Sequence, residues 1–475
     1  MQPPLTMQTH RNTRVRLLLA ASLIALLGTG GCDLFEIDPV TDPNNASIES
    51  VLVNATPAQL NALAVGVEAS LRLGHANNSS YNQVVGTLGR EVTVLAQTES
   101  RWYQELQGRR GAATVDVLDD AAFYNGQYTD FARVGRAARV FRASAEATSA
   151  ITAEQKSGVA GFTRTYEALS KLHLLNLQGE GGIRVDLDDI RRPGKFVSQE
   201  EALTNIRQQL DQANQDLAGA GAAFSFTLSS GYAGFNTPAT FQQFNRALAA
   251  RVALYQGDYA GALTALAASF YSRTASLALG PKLTFSPTTA GDVANPYYQV
   301  PDSSPSTLVA VPDNVVTEAE SGDARLRKIG RRATPFVVPG ISGNYEARVY
   351  DSPSSPLDII RNEELILIAA EARARTNDLN GALEDINTIR VRAGNLAPRT
   401  AASFANPTAY VDEILRQRRY SLFYEGHWWV DLRRLQRLNP NPAPGITLAY
   451  TAPPFKLFSS MPRPFAEKQW DIANP

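Results

Sequence analysis

One phrase occurs twice in this chain, and it limits the fold more than any other feature. Gln256-Gly257-Asp258-Tyr259-Ala260-Gly261-Ala262-Leu263 and Thr376-Asn377-Asp378-Leu379-Asn380-Gly381-Ala382-Leu383 share the order Asp, bulky, any, Gly, Ala, Leu. A stripe of helical spacing precedes each copy (241–255 and 362–375) and another follows. The Gly or Asn can take the left-handed turn that ends one helix, while the Asp caps the next. The small Ala then lets the two helices approach closely. This is the grammar of a tetratricopeptide (TPR) hairpin. A third hairpin is predicted from Ser198, where Ser198 and Glu201 form a capping box ahead of Leu203, Ile206 and Leu210. So few hairpins cannot bury a solenoid core alone, so they must pack on the other helices of one domain.

Those other helices are legible by period. Thr56 and Pro57 open a helix whose stripe runs through Leu60, Leu63, Ala64, Val67 and Leu71 to about Arg72. Further stripes run over 123–146 and 162–178. His173 lies on the last of these with no second ligand type at metal spacing, so it reads as a core histidine, and no metal or cofactor is implied. Between 269 and 357 the period disappears under Pro, Gly, Ser, Thr and aromatic residues. A segment of that length inside a helical domain is expected to be functional, and its aromatic residues argue for order. The predicted fold is therefore all-α dominated: TPR-like hairpins in one large domain, 56–475, carrying a loop-rich, short-strand, ligand-facing insertion at 269–357.

The N-terminus carries an address. Arg11, Arg14 and Arg16 precede an apolar run, 17–27, that is too short for a bilayer span, which takes about 20 residues. Thr29, Gly30 and Gly31 then lead to Cys32, the only cysteine in 475 residues. It has no partner for a disulfide, and its setting resembles a bacterial lipobox, with Thr29 in place of the usual large apolar residue. Residues 1–31 are thus predicted to be a lipoprotein signal peptide, Cys32 the lipidated residue, and 32–55 a tether rich in Asp, Asn and Pro. Charge is balanced, with 45 Lys+Arg against 46 Asp+Glu and no basic run in the body, which leaves no nucleic-acid footprint.

Two segments carry a family resemblance. Arg361-Asn362-Glu363-Glu364-Leu365-Ile366-Leu367-Ile368-Ala369-Ala370-Glu371-Ala372, running on into 383–394, resembles the late TPR hairpin of the SusD/RagB family of nutrient-binding outer-membrane lipoproteins. The stretch 414–434, with Arg418-Arg419, Glu425-Gly426 and Asp431-Leu432-Arg433, resembles the family's second signature without a gap. Gln417 and Ser421 stand where the family favours Glu, and Trp428 where it often has Arg. These departures alter a salt-bridge network more than a binding site. Physically the motif reads as scaffold: a helix ending near Tyr424, a turn at Gly426, a second helix from about Trp428, and Arg418, Arg419, Glu425 and Asp431 pairing across the corner. The tail, Met461-Pro462-Arg463-Pro464, fits the family's ending.

The resemblance implies a lipid-anchored, surface-exposed protein of the cell outer membrane that captures oligosaccharide or peptide and delivers it to a SusC/RagA-type TonB-dependent transporter. Sugar recognition needs an aromatic plane flanked by polar groups. Arg101, Trp102, Tyr103 and Gln104 offer that chemistry early in the chain. Asn295, Tyr297, Tyr298, Tyr345 and Arg348 offer it in the insertion. No catalytic residue is predicted, since the chain has no phosphate loop, nucleophile elbow or His-Glu-x-x-His. Two alternatives stay open: a two-carboxylate glycoside hydrolase, and a TPR adaptor that binds another protein through its helical concave face.

Overall fold

The computed structural model describes residues 52–474 apart from 78, 79, 190, 290 and 291. The signal peptide, Cys32 and the tether up to residue 51 lie outside the described residues. The body begins slightly before the predicted boundary, for Ala55 is buried and its carbonyl accepts the Thr148 hydroxyl at 2.7 Å.

Helices dominate, as the periodicity predicted. α1 (Pro57–Ala76) starts at a capping box in which Thr56 and Gln59 satisfy each other's backbone N–H groups. α2 (Tyr81–Leu88), α3 (Gly126–Ala147), α4 (Ala153–Gln178), α5 (Gln199–Ala218), α6 (Pro238–Gln256) and α7 (Tyr259–Ala267) follow. α4 starts well before the predicted Phe162. Its first turns are polar or small, so they show no apolar stripe, yet Gly158 and Gly161 bring α4 close against α5 and the segment that follows it. The short α8 (Asp313–Thr317) lies within the insertion, and after it come α9 (Asn362–Arg375), α10 (Leu379–Arg392), α11 (Pro407–Ser421), α12 (Trp428–Arg434) and α13 (Phe465–Ala473).

The repeated phrase folds as read. Gly257 (φ 75°) and Asn377 (φ 64°) take the left-handed turn. The Asp258 and Asp378 carboxylates accept the N–H of Gly261 and Gly381, each at 2.9 Å. A Cβ on either glycine would land on that carboxylate. Ala262 and Ala382 are fully buried where the paired helices touch. α9 is the central helix: the run Leu365-Ile366-Leu367-Ile368 is apolar on every side and wholly buried.

The predicted corner after α11 is real, with Tyr424 (φ 61°) and Gly426 (φ 82°) making the turn. Only one of the expected pairings crosses it: Arg418 Nε to Asp431 at 2.6 Å, both side chains buried. Arg419 reaches Glu318 at 2.6 Å instead, and Glu425 pairs with Arg361 and Lys328. Both tryptophans of α12 are buried, Trp429 donating Nε1–H to the Phe458 carbonyl at 2.8 Å.

The insertion supplies most of an antiparallel sheet. β1 (Thr93–Leu95) precedes it; β2 (Leu308–Val311), β3 (Ile329–Val338) and β4 (Ile341–Ala347) lie within it, in the order β1-β2-β4-β3. Thr93 faces Ala310, and Val311 faces Tyr345. The β3–β4 register slips between Arg331 and Phe336, where Pro335 lacks an N–H and a bulge forms. Arg332, in that bulge, pairs with buried Glu346 at 2.5 Å.

An internal cavity of about 40 Å³ lies among His75, His173 and His427. Burial pulls His173 and His427 down to about 4 and His75 well below its ordinary value. An unfolded histidine takes a proton near pH 6.5. Between that pH and about 4 the unfolded chain binds more protons at these sites, so stability rises with pH there and is lost on acidification. Each histidine contributes a slope of up to about 1.4 kcal/mol per pH unit. Glu91, pushed up to about 8 by burial, and Glu68, also raised by burial, oppose the three histidines. Urea unfolding at pH 7 and at pH 5 is expected to show lower stability at pH 5, and no loss between them would contradict neutral buried histidines. Asp378→Ala removes a cap and is expected to cost about 1 kcal/mol in the same assay.

Candidate functional site

A group of partly exposed aromatic residues, Phe123, Tyr450 and Phe455, is assembled beyond the end of α2. Arg90 follows the last turn of that helix with φ 60° and a buried guanidinium. It meets carbonyls from three parts of the chain: Thr87 at 2.9 Å, Leu106 at 3.3 Å, Gln107 at 3.1 Å, Tyr450 at 3.2 Å and Lys456 at 2.7 Å. Burial pulls Arg90 down to about 9, which leaves it charged at neutral pH. The guanidinium thus fastens the 99–117 loop and the 449–456 loop to the end of α2.

Beyond Arg90 the chain enters β1 and then two short helical turns. Tyr103 packs with Leu95, Leu308, Ala310, Phe336, Val338 and Ile341, and Tyr450 and Phe455 cover this cluster from outside. Those two rings lie 5.4 Å apart and are tilted by 41°. Arg109 sits 5.0 Å over Phe455, and Tyr450 donates its hydroxyl to Ser342 at 3.3 Å. Gly340, at the tip of the β3–β4 hairpin, has φ 77° and lies so close to Arg109 that a side chain there would displace the guanidinium. Nearby, Arg101 stacks over Phe123 at 5.1 Å and is held by Glu99 at 2.6 Å. Trp102 lies behind, 5.0 Å from the same ring.

The residues singled out from sequence fall in two places. Arg101, Trp102 and Tyr103 do join the sheet at this surface, but Trp102 and Tyr103 are buried and support it from beneath. Asn295 and Tyr297 turn inward, against the expectation of a ligand-facing segment there. The Tyr297 hydroxyl meets His75 Nδ1 at 3.1 Å and accepts the Asn82 N–H at 3.3 Å. Asn295 is also buried, donating to the Ser355 carbonyl at 2.7 Å and accepting the Tyr297 N–H at 2.8 Å. Both complete the core beneath α1 and α2. Tyr298 and Tyr345 are half-buried. Arg348 is committed to Glu346 at 2.7 Å, toward the far end of β4 from the hairpin tip.

Sequence reasoning missed Arg90, Arg109, Phe123, Tyr450 and Phe455. The last two flank the prolines of Tyr450-Thr451-Ala452-Pro453-Pro454-Phe455, a run without period that gave no structural signal beyond its aromatic content. Two carboxylates near this surface are already paired, Glu99 with Arg101 and Glu105 with Arg110. Rings with apolar faces and fixed guanidinium neighbours suit binding of a flat, hydroxyl-rimmed molecule. Among the described residues no group of three or more His, Cys, Asp or Glu is placed to hold a metal, and no helix is long and apolar enough to cross a membrane.

Arg90→Ala strands several carbonyls and is expected to cost about 3 kcal/mol or more. Hydrogen exchange should quicken in 104–108 and 449–457 while α9 stays protected, whereas uniform acceleration would show that Arg90 holds no particular loops.

Residues 336–470 match the model of the SusD family. The fold matches a SusD superfamily protein of Parabacteroides distasonis with a TM-score of 0.64 at 16% identity, covering 87% of this chain and 97% of that one. A laminarin-binding SusD-like protein matches with a TM-score of 0.60 at 17% identity, covering 88% and 98%. NanU of B. fragilis matches with a TM-score of 0.59 at 16% identity, covering 88% and 94%. No curated protein matches the chain.

Proposed function

From a SusD-like fold over 87% of the chain and a match to the SusD family in sequence over residues 336–470, we propose that it captures an oligosaccharide at the cell envelope. The observation that carries this reading is the partly exposed Tyr450–Phe455 pair, backed by Arg109 and locked by Arg90. The C–H face of a pyranose stacks on such rings, and its hydroxyls find polar partners at the rim. Arg101 and exposed Arg110 stand at that rim, with Trp102 and Tyr103 as the supporting layer. Tyr298, Tyr345 and Arg348, half-buried and away from the hairpin tip, are proposed as separate, secondary contacts. The laminarin-binding neighbour supports a glycan over a peptide. In this reading Cys32 carries the lipid that keeps the protein on the outer membrane, and a SusC/RagA-type TonB-dependent transporter receives the cargo.

The role is binding without turnover. Glu99 and Glu105, beside the rim arginines, are neutralised by Arg101 and Arg110, which keeps those two carboxylates from serving as a free acid and base pair.

Titrating the protein with a panel of oligosaccharides, laminarin fragments among them, and of peptides tests this. A Tyr450→Ala, Phe455→Ala double variant is expected to lose about 30-fold or more in affinity for the best glycan, at about 1 kcal/mol or more per stacked ring. Binding of peptides alone, or an unchanged affinity in the double variant, would overturn the reading. Steady hydrolysis of a panel member would overturn the claim of binding without turnover.

A further inference from the structure

On the helical side of the molecule, buried arginines are matched to carboxylates. Arg251 pairs with Glu364, Arg434 with Glu371 and Arg418 with Asp431, each at 2.6 Å. Arg433 differs. Among the described residues it forms no ion pair, and its guanidinium donates to two carbonyls, Ser459 at 2.8 Å and Asn176. It is held over the Trp429 ring at 3.9 Å, and Gly179 leaves it room, since a Cβ there would come within 2.8 Å of Nη1. Two carbonyls do not exhaust a fork of five N–H donors. Burial pulls Arg433 down to about 10, so it remains charged at neutral pH.

This guanidinium lines a cavity of about 300 Å³ enclosed by the end of α4, the start of α5, α6 and α12. That volume is at the lower end for small-molecule sites, about 300 to 1,000 Å³. Leu203 gives the cavity an apolar wall, and Tyr255 and Gln199 add polar groups. The charge of Arg434, which also lines it, is already taken by Glu371 and Asp431. Glu180 is the one carboxylate among the lining residues, and it is exposed.

We propose that this cavity binds a sugar unit bearing one carboxylate, with Arg433 as its counter-ion. A partly buried cation with spare donors is best satisfied by an oxyanion that accepts from two N–H groups at once. The leucine wall takes the C–H face of the ring, and the amide and phenol take its hydroxyls. The site shares no residue with the Tyr450–Phe455 surface, so it stands or falls separately from the function proposed above.

Ligand-observed NMR titration with glucuronate, glucose and inorganic phosphate tests the assignment. Glucuronate is expected to bind at least tenfold more tightly than either glucose or phosphate. Arg433→Gln, verified as folded by circular dichroism, should abolish that preference. Glu180→Gln, on an exposed side chain, should tighten glucuronate binding by about threefold through loss of like-charge repulsion. The Tyr450→Ala, Phe455→Ala double variant should leave it unchanged. Equal binding of the three probes, no binding of glucuronate, or retained preference in Arg433→Gln would overturn the proposal. An unaltered Glu180→Gln affinity would do so too.

Discussion

The guanidinium of Arg90 is the point on which the proposed binding surface depends. Among the described residues it is buried without a carboxylate partner, a placement that desolvation makes unfavourable unless many acceptors surround it. Carbonyls of Thr87, Leu106, Gln107, Tyr450 and Lys456 are those acceptors. The arrangement satisfies both sides, because backbone carbonyls in irregular loops otherwise lack partners. It also ties residues 87, 106 and 450, far apart in sequence, into one rigid unit. The aromatic rings carried by those loops gain fixed positions, and a binding site whose rings are already in place loses less entropy on capture.

The helical half is held differently, by arginine–carboxylate pairs inside the core. Glu364 shows the balance: burial alone would raise it, but Arg251 at 2.6 Å overrides that and holds it at about 2. Arg390 spans Glu320 and Glu413, each at 2.8 Å. The family's acidic positions occupied here by Gln417 and Ser421 fall within this web. Gln417 donates to Glu413 at 2.8 Å, and the Ser421 hydroxyl lies 3.0 Å from Arg325. The departures therefore rewire buried polar contacts and leave the aromatic surface untouched. Removing one partner of such a pair costs about 3 to 5 kcal/mol, which explains how a motif can be distinctive without touching ligand.

What could be read from the sequence follows the range of the forces involved. The hairpins were legible because their signals are local: Asp378 caps the helix that begins beside it by accepting an N–H three residues on, and Asn377 makes the turn just before. The corner at Gly426 was legible for the same reason, although the partners of Arg419 and Glu425 were not, since Glu318 and Arg361 come from other parts of the chain. Tyr297 shows the limit most clearly. A tyrosine in a proline-rich loop looks available, yet its direction is set by His75 and Asn82, more than 200 residues away. The same holds for β1, whose pairing with β2 joins residue 93 to residue 310. Tyr450 and Phe455 were missed because exposure beside a sheet has no sequence period.

The central claim is that this pinned aromatic surface is where sugar is held. A crystal structure with the tightest-binding oligosaccharide tests it most directly. The account requires an intact pyranose ring lying against Phe455 or Tyr450 in loops that have not moved. Density for the sugar elsewhere on the molecule with those rings bare, or density for a cleaved product, would contradict it.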